Sequence, residues 1–118
     1  MVDDTDHVRT MLVDMLQLDG FEVCGEAASG ADAITAASRL DPEVIVMDYK
    51  MPDMDGLRAS RSIREQRPTQ PIILYTAYLD TQLEEDARAA GVAICIGKVE
   101  GLGRLERHIT QLARDLAS

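Results

Sequence analysis

A chain of 118 residues, 46% hydrophobic and 28% charged, fits one compact domain and leaves little room for a second. Its 21 acidic residues against 12 basic ones give a formal charge of -9, which repels phosphate backbones and anionic lipid and excludes direct nucleic-acid binding on charge grounds. No apolar run approaches the roughly 18 to 20 residues of a membrane span, and Asp3, Asp4 and Asp6 follow Met1 where a targeting segment would be basic and then apolar, so a soluble, cytoplasmic domain is expected.

Two periodicities alternate along the chain, short apolar runs and stretches with apolar residues every three or four positions, which together predict βα units repeated five times. Met1 and Val2 supply a fragment of a first strand. A helical stripe of Val8, Met11, Leu12, Met15 and Leu16 follows, with Thr5 placed to cap it and Gly20 to end it. Residues 21–24 predict the second strand, and Ala33, Ile34, Ala37 and Leu40 the second helix. The third strand falls at 44–47, its helix marked by Leu57, Ser60 and Ile63. The fourth strand falls at 72–75, followed by a helix through Leu83, Ala87 and Ala90 that Gly91 stops. A fifth strand at 93–96 precedes the clearest stripe, Leu102, Leu105, Ile109, Leu112 and Leu116. Each strand is nearly continuous in apolar residues, as parallel strands covered on both faces should be. The fold class is therefore α/β, an open doubly wound parallel sheet with its chemistry beyond the C-terminal strand ends.

Those ends carry Asp3 and Asp4, Asp48, Thr76 and Lys98. Three carboxylates crowded together repel, so the cluster calls for a hard divalent cation with oxygen ligands, for which Mg²⁺ is the natural choice. A lysine and a hydroxyl beside it can neutralise and hydrogen-bond phosphoryl oxygens during transfer to Asp48. An Asp after a strand is as often a helix cap, and a Lys there as often merely solvated. The joint arrangement over the whole chain favours the chemistry.

On these residues the sequence resembles the receiver domain of two-component response regulators, over essentially all 118 positions. Val2-Asp3-Asp4 resembles the acidic pair, Met47 through Gly56 the phosphoacceptor strand and loop, Tyr75-Thr76-Ala77 the hydroxyl position and Gly97-Lys98 the lysine. The resemblance implies a CheY-like, flavodoxin-like (βα)₅ domain with strand order 2-1-3-4-5, one of the two common orders of doubly wound sheets. It further implies that Asp48 takes phosphate from a sensor histidine kinase or phosphotransfer protein. Asp4 would bind Mg²⁺ directly, Asp3 through water, and the Lys50 carbonyl would complete the protein ligands. Thr76 and Lys98 would contact the phosphoryl group. The face of the fourth helix, fifth strand and fifth helix would then engage an output domain or protein partner, with a homodimer as one form of that partnership. Gly25-Glu26-Ala27-Ala28 together with Ala33 resembles NarL/LuxR-type receivers.

Three departures carry expectations of their own. Cys95 stands where receivers usually have an aromatic, so its coupling to Thr76 in the switch should be altered. Val99 replaces a proline, so the Lys98–Val99 bond should be trans. Only Met1 and Val2 precede the acidic pair, so the first strand of the 1–118 receiver reads as truncated and the fold as marginally stable. Lys50 and Tyr78, two residues beyond Asp48 and Thr76, sit where side chains can screen an acyl phosphate from water. Cys24 and Cys95 should be free, reduced thiols.

Rival readings fit less well. A P-loop fails because Gly91 lies one residue too far upstream and Val99 replaces Ser or Thr. A dinucleotide fold fails because acidic residues occupy the glycine-rich turn. A small aspartyl-phosphate phosphatase or phosphotransferase would want a second acid where Lys50 stands, and a phosphate-independent binding module would have no need of the complete set.

Overall fold

Alternation along the strands decides which helices lie on which side. In the computed structural model, which describes residues 1–117, strands β1 (Ile45–Met47), β2 (Ile72–Thr76) and β3 (Ile94–Gly97) form a parallel sheet in the order β1-β2-β3. Ile45, Met47, Ile72 and Leu74 face a buried cluster with α2 (Gly30–Leu40), α3 (Gly56–Gln66) and α4 (Thr81–Ala89). Val46, Ile73, Tyr75 and Ile96 face the opposite cluster with α1 (Asp6–Leu18) and α5 (Leu102–Ala117). A period of two in the strands thus produces the two helical layers of a doubly wound sheet.

The first two predicted strands are reduced to single-residue bridges. Val2 pairs in parallel with Met47 on one side and Ala27 on the other. Its N–H donates to Val46 O at 2.8 Å, the Asp48 N–H donates to Val2 O at 3.0 Å, and the Asp3 N–H donates to Ala27 O at 3.1 Å. The spatial order Ala27, Val2, β1, β2, β3 therefore follows 2-1-3-4-5, with three full strands instead of five. The expected strand at 21–24 needs correction. Burial alternates through it as in a strand, but the segment forms no ladder, because the backbone bonds of Met1 and Val2 fall past its end, on Gly25 and Ala27. Between residues 21–25 and the start of β1 lies a groove of about 630 Å³ lined by Leu16, Val23, Ala37, Leu40, Val44 and Ile109. It opens where β1 begins, at the end of the sheet away from Asp48.

Helix boundaries follow from local chemistry. Ser29, Asp55 and Asp80 occupy N-caps and accept the N–H of Asp32, Arg58 and Leu83 respectively, bonds typically worth about 1 kcal/mol each. Thr5 holds the N-cap position of α1 without a side-chain capping bond; the Asp3 carboxylate instead accepts the Thr5 N–H at 2.9 Å. At Gly20 the chain turns left-handed at φ +94, while Phe21 N–H reaches Leu16 O and Gly20 N–H reaches Gln17 O, the paired bonds of a Schellman ending. Gly91 ends α4 in the same way. The buried side of α1 is Leu12, Val13 and Leu16, so Met11 and Met15, members of the predicted apolar stripe, lie exposed at 52% and 40%. Leu102, Leu105, Ile109 and Leu112 dock α5, and Leu116 remains outside.

A carboxylate cluster at the C-terminal edge of the sheet

Asp3 leaves the Val2 bridge and Asp48 leaves β1, so the ladder between them sets their side chains next to one another. Asp3 is fully buried and Asp48 nearly so, whereas Asp4 is exposed. One carboxylate oxygen from each of Asp3, Asp4 and Asp48 lies within 4.8 Å of the others. Lys98, the residue after β3, reaches in with its Nζ 3.0 Å from Asp3 Oδ2 and 3.3 Å from Asp48 Oδ2. Asp48 Oδ1 accepts the Tyr49 N–H at 2.8 Å.

One ammonium serves two buried carboxylates, and the two ends of that arrangement respond differently. Burial pushes the Asp48 carboxyl up from its ordinary value and the charge on Asp3 adds to this, with Lys98 opposing. Burial alone would lower Lys98, but its hydrogen bonds and attraction to Asp3 and Asp48 outweigh that, and its pKa is raised. The site thus favours the charge on the lysine while burial works against the charge on Asp48, an imbalance that a second cation would correct. The donor set of three carboxylates, all hard oxygen ligands, fits a small divalent metal.

Thr76 ends β2, buried, paired in register with Gly97; its hydroxyl accepts the Tyr78 N–H at 3.1 Å. Lys50 and Tyr78 come together above this edge, the ammonium 4.2 Å from the ring centroid. Tyr75 offers its ring to Lys98 at 5.9 Å. After Lys98 the chain enters a 3-10 turn over Lys98–Glu100, in which the Glu100 carboxylate accepts the Gly97 N–H at 2.7 Å and Val99 is 94% exposed. No peptide bond among the described residues is cis, so Lys98–Val99 is trans. Cys24 and Cys95 are both free. Cys95 sits opposite Leu74, partly buried below α4; burial pushes its thiol up to about 11, with Glu84 adding to the shift and Arg88 opposing it.

Gly56 shows why the loop after Asp48 has its composition. A Cβ there would collide with the Asp48 carbonyl oxygen, and the Gly56 N–H donates to Tyr49 O at 2.6 Å. Only glycine permits that backbone approach. Two supports escaped sequence reasoning: Arg9, whose Nη1 donates to the Asp3 carbonyl at 2.7 Å, and Asp53, which binds backbone amides of α2. An Arg one turn past an acidic pair is a faint signal for the first. The partners of Asp53 lie 22 and 23 residues away, beyond any local pattern.

A doubly wound sheet with acids, a hydroxyl and a lysine converging on its C-terminal edge defines a phosphoryl-handling signalling domain. The response regulator receiver domain family matches residues 1–110, and the chain belongs to that family. It is 42% identical over 105 residues to protein-glutamate methylesterase/protein-glutamine glutaminase 4 of Geobacter metallireducens, covering 88% of this chain and 29% of that protein. The chain thus spans under a third of the methylesterase relatives it matches. Among solved structures it resembles the receiver domain of NarL from Mycobacterium tuberculosis, at 27% identity and TM-score 0.88 over 96% of this chain and 92% of that one. It also resembles the response regulator domain of Thermotoga maritima CheB, at 26% identity and TM-score 0.87 over 96% and 92%. No helix among the described residues is long and apolar enough to cross a membrane.

Proposed function

We propose that Asp48 is the phosphoacceptor of this receiver and that Asp3, Asp4 and the Lys50 carbonyl hold Mg²⁺ beside it. The observation that carries the reading is the single Lys98 ammonium shared between Asp3 and Asp48, with Asp4 inside the same cluster. In the transfer an Asp48 carboxylate oxygen attacks phosphorus and the bond from phosphorus to the donor's nitrogen or oxygen breaks. The leaving group departs with the bonding electrons, and Asp48 becomes an acyl phosphate. Bound metal supplies charge neutralisation for the phosphoryl oxygens. Lys98 contributes the same at its own position, already charged and already placed. Thr76 exchanges its present bond with the Tyr78 N–H for one to the phosphoryl group. Phosphate occupancy then moves the 76–78 turn and biases the surface of α4, β3 and α5 toward an output domain or protein partner. Cys95, between β3 and α4, takes the position of the usual aromatic in that movement.

The donor is a sensor histidine kinase or phosphotransfer protein in the cytoplasm, and association through α4, β3 and α5, including with a second copy, is the output. The chemistry of this domain is the uptake and loss of phosphate. The phosphatase alternative gains nothing from Lys50, whose side chain is engaged with Tyr78 instead of supplying an acid. Incubation with a small acyl phosphate and Mg²⁺ should label the protein once per chain, and Asp48→Asn or chelation of the metal should abolish the label. Undiminished labelling of Asp48→Asn would defeat the assignment.

A further inference from the structure

The loop from Asp48 to α3 is tied at its base, at its far end and in between. Gly56 N–H to Tyr49 O closes the base, and Asp55 caps α3 at the far end. Between them Asp53 reaches to a different helix. Its Oδ1 accepts the Gly30 N–H at 3.0 Å and its Oδ2 accepts the Ala31 N–H at 2.9 Å, the two leading amides of α2. A carboxylate using both oxygens on successive backbone amides at the positive end of a helix is a fixed, directional joint.

The contact continues through packing. A Cβ on Gly30 would collide with Met54 Cγ, so glycine lets the side chain next to Asp53 rest on the backbone of α2. Helix α2 is itself anchored by buried Ala33 and Ala37. Asp53 is exposed, while Met51 and Met54 pack partly buried against the core. Removing the carboxylate therefore leaves the apolar seating of the loop in place and takes away its bracing.

We propose that Asp53 is a positioning residue for the divalent cation: by clasping the start of α2 it holds the 49–55 loop, and with it the Lys50 carbonyl, in place beside Asp3, Asp4 and Asp48. The inference rests on the reading of Asp48 as phosphoacceptor and of the Lys50 carbonyl as a ligand. Its consequence is that the stiffness of the cation site is supplied by a helix that contributes no ligand.

Ser29 makes the test selective. It caps the same helix end through the Asp32 N–H at 3.1 Å, a bond made within the first turn of α2 and not to the loop. Mg²⁺ is titrated by calorimetry into the wild type, Asp53→Ala, Asp53→Asn and Ser29→Ala, and the melting temperature of each is recorded. The expected result is an affinity weakened about tenfold in Asp53→Ala, partly restored in Asp53→Asn, which keeps one acceptor oxygen, and unchanged in Ser29→Ala despite a comparable fall in melting temperature. Labelling of Asp53→Ala by an acyl phosphate should recover the wild-type rate at saturating Mg²⁺. Equal affinities for the wild type and Asp53→Ala, or an equal loss in Ser29→Ala, overturn the proposal. Failure of the underlying reading shows separately, as labelling that survives in Asp48→Asn.

Discussion

The two flanks of the sheet are built to different standards. On one flank β1, β2 and β3 pair as full strands, and Ile72, Ile73, Leu74 and Ile96 are fully buried. On the other flank, beyond β1, Val2 bridges Ala27 and Met47 alone, beside a groove of about 630 Å³. Asp3 belongs to the weak side by chain connection and to the strong side by contact, since it projects from the bridged segment into the Lys98 ion pair. A cluster that takes one carboxylate from the least supported segment couples its own integrity to that segment.

Weakening the bridged side is the most direct way to sharpen the contrast. Val2 is buried at the bridge between Ala27 and Met47, and Val2→Ala should lower the denaturation midpoint, at a cost of roughly 1.5 to 3 kcal/mol. Equal midpoints for the two chains would show that the bridge carries no load.

A smaller effect comes from charge at the boundary between the two regions. Asp48 has its pKa raised on folding, so its contribution to stability is full below the ordinary carboxylate range and is lost as pH rises through the folded value. Asp48→Asn should therefore melt a few degrees above the wild type at neutral pH, the gap closing in acid. Thermal scans from mildly acidic to neutral pH check the sign; a wild type more stable than the variant at neutral pH would mean that the Lys98 pair outweighs burial.

The smallest effect expected is on the lifetime of the acyl phosphate. Lys50 and Tyr78, joined at 4.2 Å, stand over the strong edge, and a double alanine variant should lose its label about two- to fivefold faster if the pair screens it from water, a change of roughly 0.4 to 1 kcal/mol in the barrier. Unchanged decay in isolated phosphoprotein would remove both residues from the site.

How much the sequence reveals differs between the same two regions. Residues 44–47, 72–75 and 93–96 are legible as strands because they are covered on both faces and their apolar runs admit no other face. Asp48, Thr76 and Lys98 follow from them, standing at or just past the end of each run. The run at 21–24 carries the same signal, but whether it becomes a strand depends on a neighbour's reach, and a ladder is a property of two segments. Met11 and Met15 err for another reason: on a short helix Val13 and Met15 flank the same stripe, and the tertiary contact selects Val13. The Asp53 clasp was illegible because both its partners are backbone amides, which every residue but proline presents.

Lys98 and Asp3 are 95 residues apart in sequence, yet they meet in one ion pair. During synthesis at about 5 to 20 residues per second, roughly 5 to 20 seconds separate the appearance of the acid from that of its lysine. Throughout that interval the nascent chain carries the carboxylates without the ammonium that offsets them. A ribosome-bound chain that has not yet released β3 and the residue after it lacks the cation that joins Asp3 to Asp48, so completion of the carboxylate cluster waits for the emergence of one late lysine.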